Sequence, residues 1–333
     1  MAQKLKIRTD ASTRIGLGHL VRCSALAEML KETFDITFYA KEIPERSVHE
    51  LEQYGFSLVR IENEIDFLSE LTVEDIVLLD GYHFKSDYQK EIKSSGCKLV
   101  FIDDLNNQHF VADAIINAGV SAGNLKISHE AYTRLLLGQE FALLRKPFRE
   151  QIRRLEPRGK RELPKAFVCF GGSDQFNLTK QTIDILVRNG IMAINVVLGN
   201  AYQHHDTLDK FSKSGVRLHQ SLNPEKMLAV MLESDFAVVQ ASQVMLELFT
   251  VGMPVITGYY EANQTGSLEA LSAKGLVFNC GNLLENYVFK LTGILKDQLN
   301  QADPTIPLRQ KSSVSDPESK YKLFFEELSN AGN

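Results

Sequence analysis

Short apolar runs alternate with stretches of helical period along most of the chain. The apolar runs predict strands at residues 5–9, 36–40, 57–60, 76–80, 98–103 and 114–117. Helical spacing fits 18–31 and 86–93. The first of these helices puts His19, Cys23, Leu26 and Leu30 on one stripe, which would face a sheet. Such alternation predicts a parallel sheet covered on both faces. The pattern breaks over 149–165, a charged stretch with Pro157 and Pro164 that is expected to be a solvated linker. It restarts at Ala166-Phe167-Val168-Cys169-Phe170. Further strands are expected at 193–198, 216–219, 236–239 and 254–257, with helices at 177–189, 206–214, 224–233 and 243–251. A last helix is expected over 317–328, and it is able to pack back across the first domain. The expected fold class is α/β, with two Rossmann-like doubly wound domains facing across a cleft. Residues 1–148 form the first domain, 149–165 the linker, and 166–333 the second domain with the C-terminal helix. Open α/β sheets bind ligands beyond the carboxyl ends of their strands, so the residues just after strands matter most.

Composition narrows the function classes. The chain has 333 residues, 44% of them hydrophobic, enough to bury a core in each domain. A net charge of −5 supplies no basic field for nucleic acid. No apolar run approaches the roughly 20 residues that span a bilayer, and the first residues form a strand pattern rather than a leader. A cytoplasmic protein with neither nucleic-acid nor membrane partners is expected; its oligomeric state is not read from the sequence. Cys23, Cys97, Cys169 and Cys280 are far apart and embedded in apolar runs, so buried reduced thiols are expected. No CxxC or Cys/His cluster calls for a metal.

The most informative stretch is Arg8-Thr9-Asp10-Ala11-Ser12-Thr13-Arg14-Ile15-Gly16-Leu17-Gly18-His19. It joins the first strand to the first helix through Gly16 and Gly18 and leaves His19 at the helix N-terminus. Glycines let a substrate approach the backbone, and the helix end favours negative charge. That end also disfavours an imidazolium, so a neutral His19 is expected to accept a proton. A dinucleotide fingerprint does not fit, because Val21 holds its third glycine position, and there is no Gly-Lys-Ser/Thr for a phosphate-binding P-loop. Asp80-Gly81-Tyr82 ends the fourth strand; Asp80 suits a turn or cap as well as a site, and Tyr82 can point into the cleft. Asp103-Asp104 lacks a clustered third metal ligand, which favours capping. After the first strand of the second domain, Gly171, Gly172 and Ser173 can present amides to a phosphate. Ser242 and Gln243 open a helix whose free amides suit a diphosphate, and Glu247 can accept two hydrogen bonds from a ribose. Asn263 and Gln264, neighbouring amides after a strand, can read sugar hydroxyl or acetamido groups. Against these stand plain turns, caps and a solvated glutamate.

These blocks occur in one order: Asp10-Ala11-Ser12 with Gly16-Leu17-Gly18-His19 and Arg22-Cys23, then Asp80-Gly81-Tyr82, Leu143-Leu144-Arg145, Phe170-Gly171-Gly172-Ser173-Asp174, Ser242 with Glu247 and Gly252-Met253-Pro254, and Asn263-Gln264. The set resembles the PseG family, UDP-sugar hydrolases of the pseudaminic acid pathway. The later blocks are shared with glycosyltransferases of the GT-B type. The resemblance spans about residues 5–275, and the last fifty or so residues match nothing useful. It implies two Rossmann-like domains, UDP held mainly by the second, and no cofactor. It also implies hydrolysis of a UDP-linked diacetamido-trideoxy sugar by attack of water at the anomeric carbon with inversion. His19 would be the base, Tyr82 and Asn263 would lie beside the sugar, and Glu247 would hold the ribose. Arg145, Gln243 and Gln264 fall within the matching blocks on the substrate side. Ala241-Ser242-Gln243 stands where the family usually has Gly-Ser-Thr, which alters the phosphate contact. The same scaffold would also serve a glycosyltransferase with a hydroxyl acceptor in place of water.

Overall fold

The computed structural model describes residues 3–330, apart from 13, 155–163, 212–214, 262–263 and 302. It divides into two compact units. The first runs to Arg145 and takes back the chain from Asp316; the second is Lys146–Ser315.

The first unit contains β1 (Gln3–Thr9), β2 (Phe34–Ala40), β3 (Ser57–Arg60), β4 (Ile76–Asp80), β5 (Lys98–Ile102), β6 (His109–Phe110), β7 (Ala114–Asn117), β8 (Ser128–His129) and β9 (Arg134–Leu137). Seven of these form a sheet in the order β3-β2-β1-β4-β5-β7-β9, while β6 and β8 pair separately. All ladders in the sheet are parallel. The central strands read as near-continuous apolar runs because both faces are covered, so Ile76, Val77, Leu78 and Leu79 are all fully buried. The chain winds one way from β1 to β3 and then crosses back to β4, which lies beside β1. The order therefore reverses between β1 and β4, where Thr9 pairs with Asp80.

The second unit has β10 (Lys165–Cys169), β11 (Ala193–Leu198), β12 (Val216–Gln220), β13 (Phe236–Gln240), β14 (Val255–Tyr259) and β15 (Phe278–Asn282). Their order, β12-β11-β10-β13-β14-β15, is again all parallel, with its reversal between β10 and β13. The loops after β10 and β11 touch so closely that a Cβ on Gly199 would overlap the Gly172 carbonyl oxygen. Gly199→Ala is therefore expected to destabilise the protein by about 1–3 kcal/mol, as overpacking does. A lower urea midpoint in equilibrium unfolding is the check; an unchanged midpoint would show that the loops part easily.

The C-terminal helix Glu318–Asn330 belongs to the first unit, not to the second domain to which its sequence position assigned it. Tyr321, Phe324, Phe325 and Leu328 enter the same core as Leu26, Met29 and Leu30 of the helix Gly18–Leu30. Phe325 meets Phe34 with ring centroids 6.0 Å apart, and Tyr321 Oη donates to the Phe141 carbonyl at 2.7 Å. Burial of this aromatic face decides the location. The linker predicted at 149–165 begins inside a helix, Lys146–Ile152, that belongs to the second unit, and residues 155–163 of it lie outside the described residues. The four cysteines are buried and none is in a disulfide, as expected. Among the described residues no helix is long and apolar enough to cross a membrane.

Candidate active site

The reversal between β1 and β4 collects the chemistry of the first unit. After β1 the chain turns through Gly16, whose φ of +84° is a left-handed conformation that favours glycine. Ser12 and Gly16 form an isolated bridge, and the Gly16 amide donates to the Ser12 carbonyl at 2.8 Å. Gly18 begins the helix in open space: a Cβ there would meet nothing within 4 Å. The protein itself does not demand glycine at that position, whereas close approach of a ligand would.

His19 sits in the first turn of that helix with 6% of its side chain exposed. Its Nδ1 lies 2.7 Å from Oδ1 of Asp80, the last residue of β4. Asp80 is completely buried and receives Arg22 through both carboxylate oxygens, Nε to Oδ2 and Nη2 to Oδ1, each at 2.6 Å. The Cys23 thiol also donates to Oδ2 at 3.5 Å. Burial opposes ionisation of Asp80, but the Arg22 guanidinium outweighs it, and with His19 it holds the carboxyl below the usual range. An ionised Asp80 only accepts hydrogen bonds. Nδ1 lies 2.7 Å from this carboxylate and 3.1 Å from Arg22 Nη2; the shorter contact, to a group that only accepts, places the proton of a neutral His19 on Nδ1 and leaves the Nε2 lone pair as the basic position. No described residue hydrogen-bonds to Nε2.

Arg22 carries the network outward, its Nη1 donating to Asp104 Oδ2 at 2.9 Å. Tyr82 Oη donates to the same oxygen at 3.1 Å, and its ring stands edge-on to His19 with centroids 4.6 Å apart. Burial and then the Asp104 carboxylate push the Tyr82 hydroxyl upward, so it remains a donor. Asp103 caps its own turn, accepting from the Leu105 and Asn106 amides at 3.2 and 2.8 Å. Among the described residues no group of three or more His, Cys, Asp or Glu is placed to hold a metal ion.

In the second unit the expected phosphate and sugar residues follow β10, β13 and β14, three neighbouring strands. Gly171 has φ +78° and lies against the Gln240 amide, while Gly172 is exposed with nothing within 4 Å of a Cβ. The helix starts within one residue of the expected 177. It begins at Leu178, and Asp174 already takes the Leu178 and Thr179 amides at 2.8 Å each. The amides the loop offers are therefore its own, not those of the helix. Ser242 is the N-cap of the helix Gln243–Val251 but makes no side-chain cap hydrogen bond. Gln243 is half-buried beside it. Glu247 is 1% exposed, so it is not a solvated helix glutamate. Gln264 Oε1 accepts from the Tyr260 amide at 3.3 Å, and Asn263 lies outside the described residues. Arg145, half-buried, ends the first unit.

Sequence reading thus found His19, Gly16, Gly18 and Tyr82 where the structure gathers them. It did not assign Asp80, Arg22 or Asp104 to the site. Arg22 and Asp80 stand in the blocks that carry the resemblance, but nothing local pairs them with His19, and Asp104 carries only its place after a strand.

Comparison with known proteins bears out the resemblance. No family model matches the chain. An uncharacterised protein of Methanocaldococcus jannaschii, MJ1062, is 29% identical over 271 residues, which is 77% of this chain but only 55% of that protein. The chain thus spans about half the length of this relative. The Campylobacter jejuni UDP-2,4-diacetamido-2,4,6-trideoxy-β-L-altropyranose hydrolase is 26% identical over 276 residues, 82% of this chain and 97% of the hydrolase. The Bacillus subtilis spore coat polysaccharide biosynthesis protein SpsG is 24% identical over 286 residues, 83% of each. Among solved structures, Acinetobacter baumannii MurG superposes with a TM-score of 0.63 at 12% identity, covering 97% of this chain and 99% of MurG. Arabidopsis thaliana UGT89C1 complexed with UDP gives 0.67 at 9%, covering 98% and 100%. The fold is that of the GT-B glycosyltransferases.

Proposed function

We propose that the protein hydrolyses a UDP-linked diacetamido-trideoxy sugar to free sugar and UDP. The coarser reading, an enzyme acting on nucleotide sugars, is supported by the likeness to the Campylobacter hydrolase and to SpsG. The finer reading rests on one observation: Asp80 fixes Nδ1 of His19 and leaves Nε2 as a base at the strand-end switch point. Water attacks the anomeric carbon from the face opposite the diphosphate, and its proton passes to Nε2. The bond from that carbon to the diphosphate oxygen breaks with its electron pair leaving on UDP, and the configuration inverts. A terminal phosphate titrates near pH 6 (about 6), so UDP departs without a carboxylic acid to protonate it. Ordinary glycosidases need such an acid beside a base or nucleophile.

His19 of the first unit supplies this chemistry, and Tyr82 of the same unit and Asn263, from the second unit's stretch of chain, are the residues proposed for the sugar. UDP is assigned mainly to residues of the second unit: Gly171, Gly172, Ser173, Ser242 and Gln243 serve the diphosphate and Glu247 the ribose, with Gln264 and, from the first unit, Arg145 assisting. Glu247→Ala is expected to weaken UDP binding by about 1.5–3 kcal/mol, the worth of hydrogen bonds to a charged group. Calorimetry with UDP measures it. Unchanged affinity with a lowered melting temperature would make Glu247 a core residue only.

The proposal is tested by incubating the protein with UDP-linked diacetamido sugars and following UDP release and anomeric configuration by NMR. Free sugar of inverted configuration without any acceptor supports hydrolysis. Turnover only when a hydroxyl acceptor is added would make the protein a glycosyltransferase. UDP binding without turnover under either condition would leave a nucleotide-sugar binding protein.

A further inference from the structure

A second charged assembly lies at the same strand ends, and the hydrolysis scheme does not use it. Arg8 of β1 is completely buried. It donates through Nε and Nη2 to the Glu64 carboxylate at 3.0 and 2.7 Å. It also pairs with Asp10, Nη1 to Oδ1 at 2.8 Å and Nη2 to Oδ2 at 2.9 Å, and its guanidinium lies 4.9 Å from the centroid of the Phe84 ring. Tyr88 Oη holds Glu64 at 2.6 Å, and the Lys41 and Glu42 amides hold Asp10 at 2.7 and 3.1 Å. Buried ion pairs are poor stabilisers, and apolar residues of the same volume often do as well or better. A frame this complete needs another reason.

The frame ends on one half-exposed group, His83. Its Nε2 lies 3.4 Å from Asp10 Oδ2, and its ring packs on Phe84 with centroids 3.9 Å apart. Gly81 makes room for the arrangement, since a Cβ there would press on Phe84 and His83 at 2.9 and 3.0 Å. His83 directly follows Tyr82, whose ring packs on His19, and Asp10 directly follows Thr9, which pairs with Asp80. Two histidine–aspartate pairs therefore stand side by side at the ends of β1 and β4.

We propose that His83 is a second substrate-contacting imidazole, whose Nδ1 accepts a hydrogen bond from a hydroxyl or amide N–H of the sugar. This rests on the reading of the substrate as a UDP-sugar. Burial opposes ionisation of Asp10, but His83, Arg8 and the Glu42 amide outweigh it and hold the carboxyl well below the usual carboxylate range. Asp10 is then an acceptor only, so the neutral ring keeps its proton on Nε2 and presents a lone pair at Nδ1. No described residue hydrogen-bonds to Nδ1. His83 selects the sugar, while His19 moves the proton.

The test uses His19→Asn protein, so that substrate survives, and calorimetry with UDP and with a UDP-linked 2,4-diacetamido sugar. Adding His83→Ala is expected to lower UDP-sugar affinity by about 3- to 10-fold, the worth of one hydrogen bond, with UDP affinity unchanged. His83→Asn, which keeps an acceptor, is expected to restore part of it. Equal losses for UDP and UDP-sugar, or no loss for either, would overturn the assignment. If the His19→Asn parent gains no affinity from the sugar, the UDP-sugar reading itself fails, and that result is visible before any His83 variant is made.

Discussion

His19→Ala and His19→Asn are expected to lower kcat by about 100- to 10,000-fold, the usual worth of a general base, with UDP affinity unchanged. The asymmetry follows from the separation of roles. The imidazole meets water at the sugar, whereas the residues proposed for UDP, Arg145 apart, follow β10, β13 and β14 of the other unit. Steady-state kinetics beside UDP calorimetry measure both quantities. A variant that keeps near-full turnover would remove His19 as the base. A variant that loses UDP binding would show that His19 shapes the nucleotide site instead. The loss should not be recovered by Gln, which donates and accepts but does not take a proton at working pH.

The second large effect is expected at Asp80. Asp80→Asn keeps the volume but removes the charge that faces Arg22 and replaces one of the two acceptor oxygens with a donor. An amide turned to donate to Nδ1 would place the imidazole proton on Nε2, the wrong nitrogen for a base. In a serine protease the corresponding aspartate-to-asparagine change costs about 10,000-fold for this reason, and a loss of about 100- to 10,000-fold is expected here. Stability should fall as well, because removing one partner of a buried pair costs about 3–5 kcal/mol; Asp104, still paired with Arg22, places the effect at the lower end. The pH dependence has a definite sign. Asp80 is held below its unfolded pKa of about 3.9, so its stabilisation is fully present above that pH and is lost as the pH falls through the folded value. The stability gap between wild type and Asp80→Asn should be widest near neutrality and close in acid. Urea unfolding from pH 7 down to about pH 1.5, through the range in which such a carboxylate is protonated, measures it; a gap that stays constant over that whole range would mean that the Asp80 charge contributes nothing.

Much of this was legible in the chain because it is local. The turn through Gly16 and Gly18, the helix with His19, Cys23, Leu26 and Leu30 on its buried stripe, and strands 57–60, 76–80 and 114–117 all follow from spacing within a few residues. What was not legible depends on strand order. Asp80 lies 61 residues from His19 and Asp104 lies 82 from Arg22. They meet only because β4 returns beside β1 and β5 beside β4, and no local pattern encodes that choice. His83 and Asp10 meet for the same reason. The edge strand β9, with Arg134 and Leu135 exposed, and β15, Phe-Asn-Cys-Gly-Asn, carry too short an apolar run to announce themselves. The helix Leu178–Arg188 starts within one residue of the expected 177, but nothing in Gly-Gly-Ser-Asp shows that Asp174 will claim its first amides.

Water activated by His19 at the sugar carbon is the central claim, and turnover in ¹⁸O-labelled water tests it most directly. With a UDP-linked 2,4-diacetamido sugar as substrate, wild-type protein is predicted to place the label on the anomeric oxygen of an inverted sugar, leaving UDP unlabelled. His19→Asn is predicted to form that product at no more than about one hundredth of the rate. Label in the released UDP, or labelled sugar formed equally fast without the imidazole, would contradict the account.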